Sequence, residues 1–280
     1  MKKYLVIGNP IEHSLSPQLH NYWIKENNIN AVYGKKKINE SDIQGIINEV
    51  KNEKVHGINV TVPFKKSVLP FLEQLTPRAI AAQSVNTIFK EGDIIVGDNT
   101  DVGGFELCLK HINYDPKNKK IFILGAGGVA SSIILALKRF GVSNITLTNR
   151  TKVKAENIKK IHPELKIVDW GQSVEFDIII NATSLGLKNS DKIELDYNKY
   201  KSKFFEKKKL FYDVIYNPTK TNFLLKGEEL GNETTNGKMM FICQAQLAFM
   251  TWHNILPKID NETIELLGGQ TTSLSSISKF

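Results

Sequence analysis

The sequence predicts an α/β protein of two domains, an N-terminal α/β domain and a doubly wound, Rossmann-like domain after it. Three observations carry that expectation. At 280 residues the chain is longer than one ordinary domain of about 100–200 residues. Short runs rich in β-branched and apolar residues alternate with helix-patterned segments along most of its length. A glycine cluster, ILGAGGVA at 123–130, stands between such a run and such a segment.

In chain order, YLVIG (4–8) is the first strand. Ser16-Pro17 opens a helix to about Asn28, with Ser16 as N-cap and Pro17 in the first turn, where its missing N–H leaves no bond unmade. AVYGKKKI (31–38) is a second strand, SDIQGIINEV (41–50) a helix and GINVTVP (57–63) a third strand. After a short helix, SVNTIFK (84–90) and DIIVGDN (93–99) flank Glu91-Gly92, a hairpin signal. Asp101 then precedes a helix in which Phe105, Cys108, Leu109 and Ile112 keep the spacing of one buried face. The polar stretch NYDPKNKK (113–120) is the best candidate linker.

Beyond it, IFILG (121–125), ITLTN (145–149), KIVDW (166–170), FDIIINAT (176–183) and KLFYDVIY (209–216) supply further strands. Their almost unbroken apolar character suits parallel strands covered on both faces. MMFICQAQLAFMTW (239–252) is a long apolar helix whose length suggests packing between domains. The Ser- and Thr-rich tail from Gly268 is expected to be poorly ordered.

Composition narrows the function classes. The hydrophobic fraction of 41% and charged fraction of 24% are those of an ordinary globular protein. No apolar run approaches the roughly 18 residues of a membrane helix. The opening MKKYLVIG has too short an apolar stretch for a signal peptide, so a first strand and a cytoplasmic address are expected. Neither the cysteines, Cys108 and Cys243, nor the six histidines show metal-ligand spacing, and no metal is expected. The net charge of +8 comes from scattered lysines without interleaved aromatics, which argues against a nucleic-acid partner and leaves attraction of small anions.

The glycine cluster has the chemistry of a dinucleotide site. Gly125 permits a tight turn, Gly127 lets backbone approach a pyrophosphate, and the helix start around Gly128 supplies N–H donors. Ala126 and Val129 complete the loop, and Ala130 takes the last glycine position of the common fingerprint. At the next strand end, where an NAD enzyme usually has a carboxylate for the ribose, stand Asn149, Arg150, Thr151 and then Lys154. Cations there attract a 2′-phosphate that a carboxylate would repel, which favours NADP over NAD.

A second cluster, GINVTVPFK (57–65) with Asp101 in GDNTD (97–101), offers a lysine and a distant carboxylate. Such a pair can move a proton at a secondary alcohol. With GNPIEHSLSPQLHN (8–21), SVNT (84–87), GAGGVA, NRT (149–151), NATSLG (181–186), YDVIYNPTKT (212–221) and NG…MFICQAQLAF (236–249), nine motifs stand in fixed order. Through them the chain resembles the shikimate dehydrogenase family over nearly its whole length. The resemblance implies a substrate-binding domain of 1–101 plus 238–280, an NADP-binding domain of 102–237, and an active site in the cleft between them. As an expectation, such a protein reduces 3-dehydroshikimate to shikimate with NADPH, as a monomer or homodimer.

Roles follow the same matching. Lys65 and Asp101 correspond to the catalytic pair. Ser14 and Ser16 resemble the hydroxyls that hold the substrate carboxylate, joined by Tyr216; Ser16 also suits a helix cap and Tyr216 a core position. Thr61, Asn86 and Gln244 match positions that bind ring hydroxyls, with Gln246 the competing amide in the same helix. Thr183 and Ser184 are expected at the cofactor crevice, and Val214 and Gly237 against the nicotinamide. Paralogues that favour quinate or NAD remain the nearest alternative, and a non-catalytic sensor of the same ligands the next.

Overall fold

The computed structural model describes residues 1–202 and 207–268. The expected disorder of the tail concerns residues that, beyond Gly268, lie outside that range. The chain divides into two compact units, one of Met1–Phe105 with the stretch from Ile242 onward, the other of Glu106–Phe241.

The first unit is built on β1 (Lys2–Gly8), α1 (Ser16–Glu26), β2 (Ala31–Lys37), α2 (Ile43–Lys51), β3 (Gly57–Val60), β4 (Gln74–Leu75), α3 (Pro77–Ala82), β5 (Thr87–Glu91), β6 (Ile94–Asp98) and the start of α4 (Thr100–His111). Its sheet has the order β2-β1-β3-β5-β6-β4. β1 is parallel to β2 and β3, whereas β5 runs antiparallel both to β3 and to its hairpin partner β6. Ile43, Ile46, Ile47 and Val50 of α2 recur at helical spacing and are all buried, joining Ile7, Ile58, Val60 and Ile88 in one core.

The second unit carries β7 (Lys120–Leu124), α5 (Gly128–Arg139), β8 (Asn144–Thr148), α6 (Lys152–Ile161), β9 (Lys166–Val168), β10 (Ile178–Asn181), β11 (Leu210–Asp213), α7 (Asn222–Glu229), β12 (Glu233–Thr235) and the start of α8 (Lys238–His253). All its strand pairs are parallel, in the order β12-β11-β10-β7-β8-β9. Counted within the unit, this is the 3-2-1-4-5-6 order of the dinucleotide-binding fold. The crossover switches sides beside β7, which places the loop after β7 at the switch point. Phe122, Phe176, Ile179, Phe211 and Phe223 fill its core. The rest of α8 and α9 (Asn261–Leu266) belong to the first unit, where Gln18 Nε2 donates to the Leu266 carbonyl at 2.7 Å and Trp252 Nε1 to that of Ile88 at 3.3 Å.

Four local expectations need correction. Ser16 is not the N-cap of α1: Leu15 already has helical backbone, and the Ser14 hydroxyl accepts the Ser16 N–H at 3.3 Å. β3 ends at Val60, because Thr61–Phe64 turn, with Phe64 N–H donating to the Thr61 carbonyl. Asp101 lies inside α4, which starts earlier because Asn99 Oδ1 accepts the Val102 N–H three residues on. The stretch 113–120 lies within the second unit, where turn bonds such as Lys119 N–H to the Pro116 carbonyl order it; the boundary between units falls inside α4 instead.

Candidate active site

In the first unit, chain direction gathers the relevant segments at one end of the strands. The segments after β1 and after β3 leave two neighbouring parallel strands, and Asn9 N–H donates to the Val62 carbonyl across them at 3.0 Å. β5 begins where β3 ends, with Asn59 opposite Thr87, and Thr87 in turn faces Asp98 at the end of β6. Ser14, Ser16, Thr61, Lys65, Asn86 and Asp101 therefore all belong to segments at this end of the sheet.

Four of the expected residues meet directly. Lys65 Nζ lies 2.6 Å from Asp101 Oδ2, with side-chain exposures of 14% and 6%. Asn86 Nδ2 reaches Asp101 Oδ1 at 3.0 Å, Thr100 Oγ1 at 2.9 Å and Gln244 Oε1 at 3.2 Å. Gln244 stands so close because residue 104 is glycine: a Cβ there would lie 2.7 Å from Gln244 Cβ and 2.8 Å from its backbone nitrogen. Gln246 donates instead to the Pro257 carbonyl at 2.7 Å, the structural role that the sequence left open between the two amides. Thr61 gives its carbonyl to the turn into Lys65, and Ser14 bonds the Ser16 backbone; none of these bonds joins them to the Lys65 cluster.

Asp98 holds the strand end just before Asp101. Burial would raise its pKa, but Arg78 Nε at 2.6 Å with a second guanidinium nitrogen, Thr76 Oγ1 at 2.5 Å and the Asn99 N–H at 2.7 Å keep it below the ordinary carboxylate value.

In the second unit, Gly125 has φ +103°, and a Cβ on it would lie 2.9 Å from the Ala182 carbonyl, so the turn after β7 requires glycine. A Cβ on Gly127 would meet nothing within 4 Å, leaving open space over the loop. Gly127 is the N-cap of α5 with no side-chain cap, followed by Gly128 and Val129 in the first turn. Exposed backbone donors at a helix start with room above them fit a dinucleotide pyrophosphate. Asn149 ties the loop down: its Oδ1 accepts the Ala126 N–H at 3.0 Å and its Nδ2 donates to the Thr151 carbonyl at 2.8 Å. Arg150 and Lys154 are exposed and make no ion pair among the described residues, so both cations are available to a phosphate.

Thr183 Oγ1 is engaged within its own turn, donating to Asn181 Oδ1 at 2.7 Å and accepting from Leu185 N–H at 3.0 Å, whereas Ser184 is exposed. The Val214 carbonyl packs against Gly237, whose N–H donates to the Ile215 carbonyl at 3.1 Å. Tyr216 stacks on Phe241 with ring centroids 4.4 Å apart, and so lies in the second unit while Ser14 and Ser16 lie in the first.

Two family models match the chain: the shikimate dehydrogenase substrate-binding domain over residues 6–88 and shikimate/quinate 5-dehydrogenase over 106–215. A shikimate dehydrogenase (NADP(+)) from Pelagibacter ubique is 55% identical over 266 residues, covering 95% of this chain and 98% of that protein. The chain belongs to the shikimate dehydrogenase family. Among solved shikimate dehydrogenases, that of Aquifex aeolicus superposes with a TM-score of 0.85 at 34% identity, covering 95% of this chain and 97% of that one. The Thermus thermophilus enzyme, solved in complex with NADP(H) and shikimate, gives 0.84 at 28% identity, over 95% and 98% of the two chains.

Within this shikimate dehydrogenase family fold, two polar residues stand out that the sequence reading passed over. Asn59, buried in the otherwise apolar strand GINV, donates to the Asn86 carbonyl at 3.1 Å. Asp213, fully buried, accepts from Thr221 Oγ1 at 2.6 Å, Ile215 N–H at 3.0 Å and Asn181 Nδ2 at 3.1 Å. Burial pushes its pKa up to about 6 against these bonds. The available signal was the same for both: a polar side chain on an apolar strand needs partners.

Proposed function

We propose that this chain is an NADPH-dependent oxidoreductase that reversibly reduces 3-dehydroshikimate to shikimate, a step of the shikimate pathway towards chorismate and the aromatic amino acids. The observation that carries the reading is the Lys65–Asp101 pair at 2.6 Å, three-quarters or more buried and held by Asn86. In the reductive direction the pair supplies a proton to the ketone oxygen as carbon gains hydride; in the oxidative direction it takes the hydroxyl proton. NADPH supplies that hydride when bound.

The residues divide the remaining work. Ser14, Ser16 and Tyr216 hold the substrate carboxylate, and Thr61, Asn86 and Gln244 its ring hydroxyls. Residues 125–129 carry the pyrophosphate on backbone donors, with Asn149 and Thr151 beside it. Arg150 and Lys154 take the 2′-phosphate, Thr183 and Ser184 border the cofactor, and Val214 and Gly237 face the nicotinamide. Residues 1–101 with 238–280 form the substrate-binding domain and 102–237 the NADP-binding domain. The enzyme works in the cytoplasm as a monomer or homodimer; both cysteines are buried thiols, as suits a reducing compartment.

The test is turnover of shikimate and of quinate, each with NADP⁺ and with NAD⁺, followed by absorbance of the reduced nicotinamide. Turnover of shikimate with NADP⁺ above the other combinations is the expected result. Turnover confined to quinate or to NAD⁺ would overturn the specificity argument, and a folded protein inert in all four would overturn the activity.

A further inference from the structure

A series of hydrogen bonds that ends on the Asp101 carboxylate begins on the edge strand β2. Tyr33 is 2% exposed, and its hydroxyl donates to Asn59 Oδ1 at 2.6 Å. Asn59 Nδ2 then donates to the Asn86 carbonyl at 3.1 Å and to Thr87 Oγ1 at 3.2 Å. Thr87 Oγ1 donates to Asn86 Oδ1 at 3.1 Å, and Asn86 Nδ2 donates to Asp101 Oδ1 at 3.0 Å. Asp101 Oδ2 receives the Lys65 ammonium.

The direction of this chain is set by backbone groups. The Asn86 carbonyl can only accept, so the Asn59 amide must present its NH₂ there and its oxygen to Tyr33. The Thr100 N–H can only donate, and it donates to Asn86 Oδ1 at 2.7 Å, so the Asn86 amide must turn its NH₂ to Asp101. Both amides are thereby locked with donors running one way, from the tyrosine to the carboxylate. Tyr33 is itself clamped: the His20 ring stacks on it at 4.2 Å with planes 4° apart. Asn59, Asn86, Thr87, Thr100 and Asp101 are all buried, so no bulk water competes for these bonds.

We propose that Tyr33, acting through Asn59 and Thr87, is a positioning residue for the Lys65–Asp101 pair. The relay holds Asp101 Oδ1 so that Oδ2 faces the lysine. The proposal rests on the reading of Lys65 and Asp101 as the proton-transferring pair. A positioning role affects the chemical step more than substrate affinity, which separates it from plain packing.

The experiment compares Tyr33→Phe, Thr87→Val and Thr87→Ser with the wild type in shikimate oxidation by NADP⁺. Alongside, the rate at which Lys65 is labelled by an amine-reactive reagent at fixed pH is read by mass spectrometry. Tyr33→Phe and Thr87→Val are expected to lower kcat about fivefold or more with KM for shikimate changed less than twofold. The serine variant, which keeps the hydroxyl, should restore kcat, and the Phe/Val double variant should lose no more than the worse single one. Lys65 labelling should rise in the two single variants relative to surface lysines, because a carboxylate no longer held aims less well at the ammonium. Unchanged kcat and labelling in both, multiplicative losses in the double variant, or equal losses for Thr87→Ser and Thr87→Val would each overturn the proposal. A wild type inert towards shikimate would remove the functional reading alone, and the labelling comparison would still decide the relay.

Discussion

At the scale of single residues, the two clusters call for different perturbations. Lys65→Ala removes the ammonium and leaves Asp101 without its ion-pair partner in a mostly buried place. A loss of about 10²–10⁴ in kcat for shikimate oxidation is expected from general acid–base chemistry, with NADP⁺ binding unchanged when titrated directly. Near-wild-type kcat would remove Lys65 from proton transfer. Arg150→Ala deletes an exposed cation that pairs with no carboxylate among the described residues, so its loss should fall on the ligand. The preference for NADP⁺ over NAD⁺ in kcat/KM should drop by about tenfold or more, the scale of one charge-assisted phosphate contact. An unchanged ratio would mean that the phosphate is bound elsewhere.

Residues of this kind were legible because chemistry dictates their types: glycines where backbone must turn, a lysine and an aspartate within ordered polar motifs. Asn59, Thr87 and Asp213 were not, since their roles depend on which strands lie side by side. Asn59 faces Thr87 only because β5 pairs antiparallel with β3, and no local pattern announces that pairing.

Among the elements, α7 shows how a strand end and a helix start stabilise each other. Thr221 is the N-cap of α7, accepting the Leu224 N–H at 3.4 Å while donating to Asp213 Oδ2 at 2.6 Å. Thr221→Val keeps the volume and removes both bonds. A loss of about 2–4 kcal/mol in unfolding free energy is expected, the sum of a helix cap and a hydrogen bond to a buried carboxylate, measured by urea titration. A loss below 0.5 kcal/mol would show that the carboxylate finds another donor. Element existence was readable from periodicity, as α2 and the parallel strands of the second unit demonstrate. Short edge strands escaped it: β4 has two residues and β12 three, too few to show any period. The starts of α1 and α4 escaped for another reason: the Ser16 and Val102 N–H groups are taken by Ser14 and Asn99, upstream of where each helix was expected to begin.

For the whole molecule, two buried histidines of the first unit and Asp213 of the second should answer acid with opposite sign. In the first, burial lowers the pKa of His20 to about 3 and of His253 to about 4, and neither ring nitrogen of His20 has a hydrogen-bond partner among the described residues. Their folded values lie below the unfolded value near 6.5, so the unfolded chain takes up protons first as pH falls. Stability is therefore full above about 6.5 and declines below it, by up to about 1.4 kcal/mol per pH unit for each ring. In the second, Asp213 is raised from 3.8 to about 6, so the folded state holds the proton more tightly. Its effect is most favourable below about 4, is lost as pH rises through about 6, and amounts to about 3 kcal/mol. His20→Phe should flatten the decline between pH 6.5 and 4.5 in urea titrations. Asp213→Asn should remove the opposite trend, provided Thr221 keeps its cap; pH profiles identical to wild type in both variants would refute these assignments.

The order of the second sheet could be anticipated from alternation and the glycine turn, because right-handed crossovers leave few alternatives. The mixed order of the first could not, since the hairpin signal alone did not say against which strand it would lie.

The edges of the two sheets have a consequence for life in a crowded solution. One edge of the first sheet is β2, which ends in Lys35, Lys36 and Lys37, and the other is β4, only two residues long. The second sheet ends on β9 and β12, three residues each. A strand row that recruits copies of itself needs length and an uncharged rim, and none of these four borders offers both. Should either unit open transiently, the surviving sheet would make a poor template for fibrillar growth.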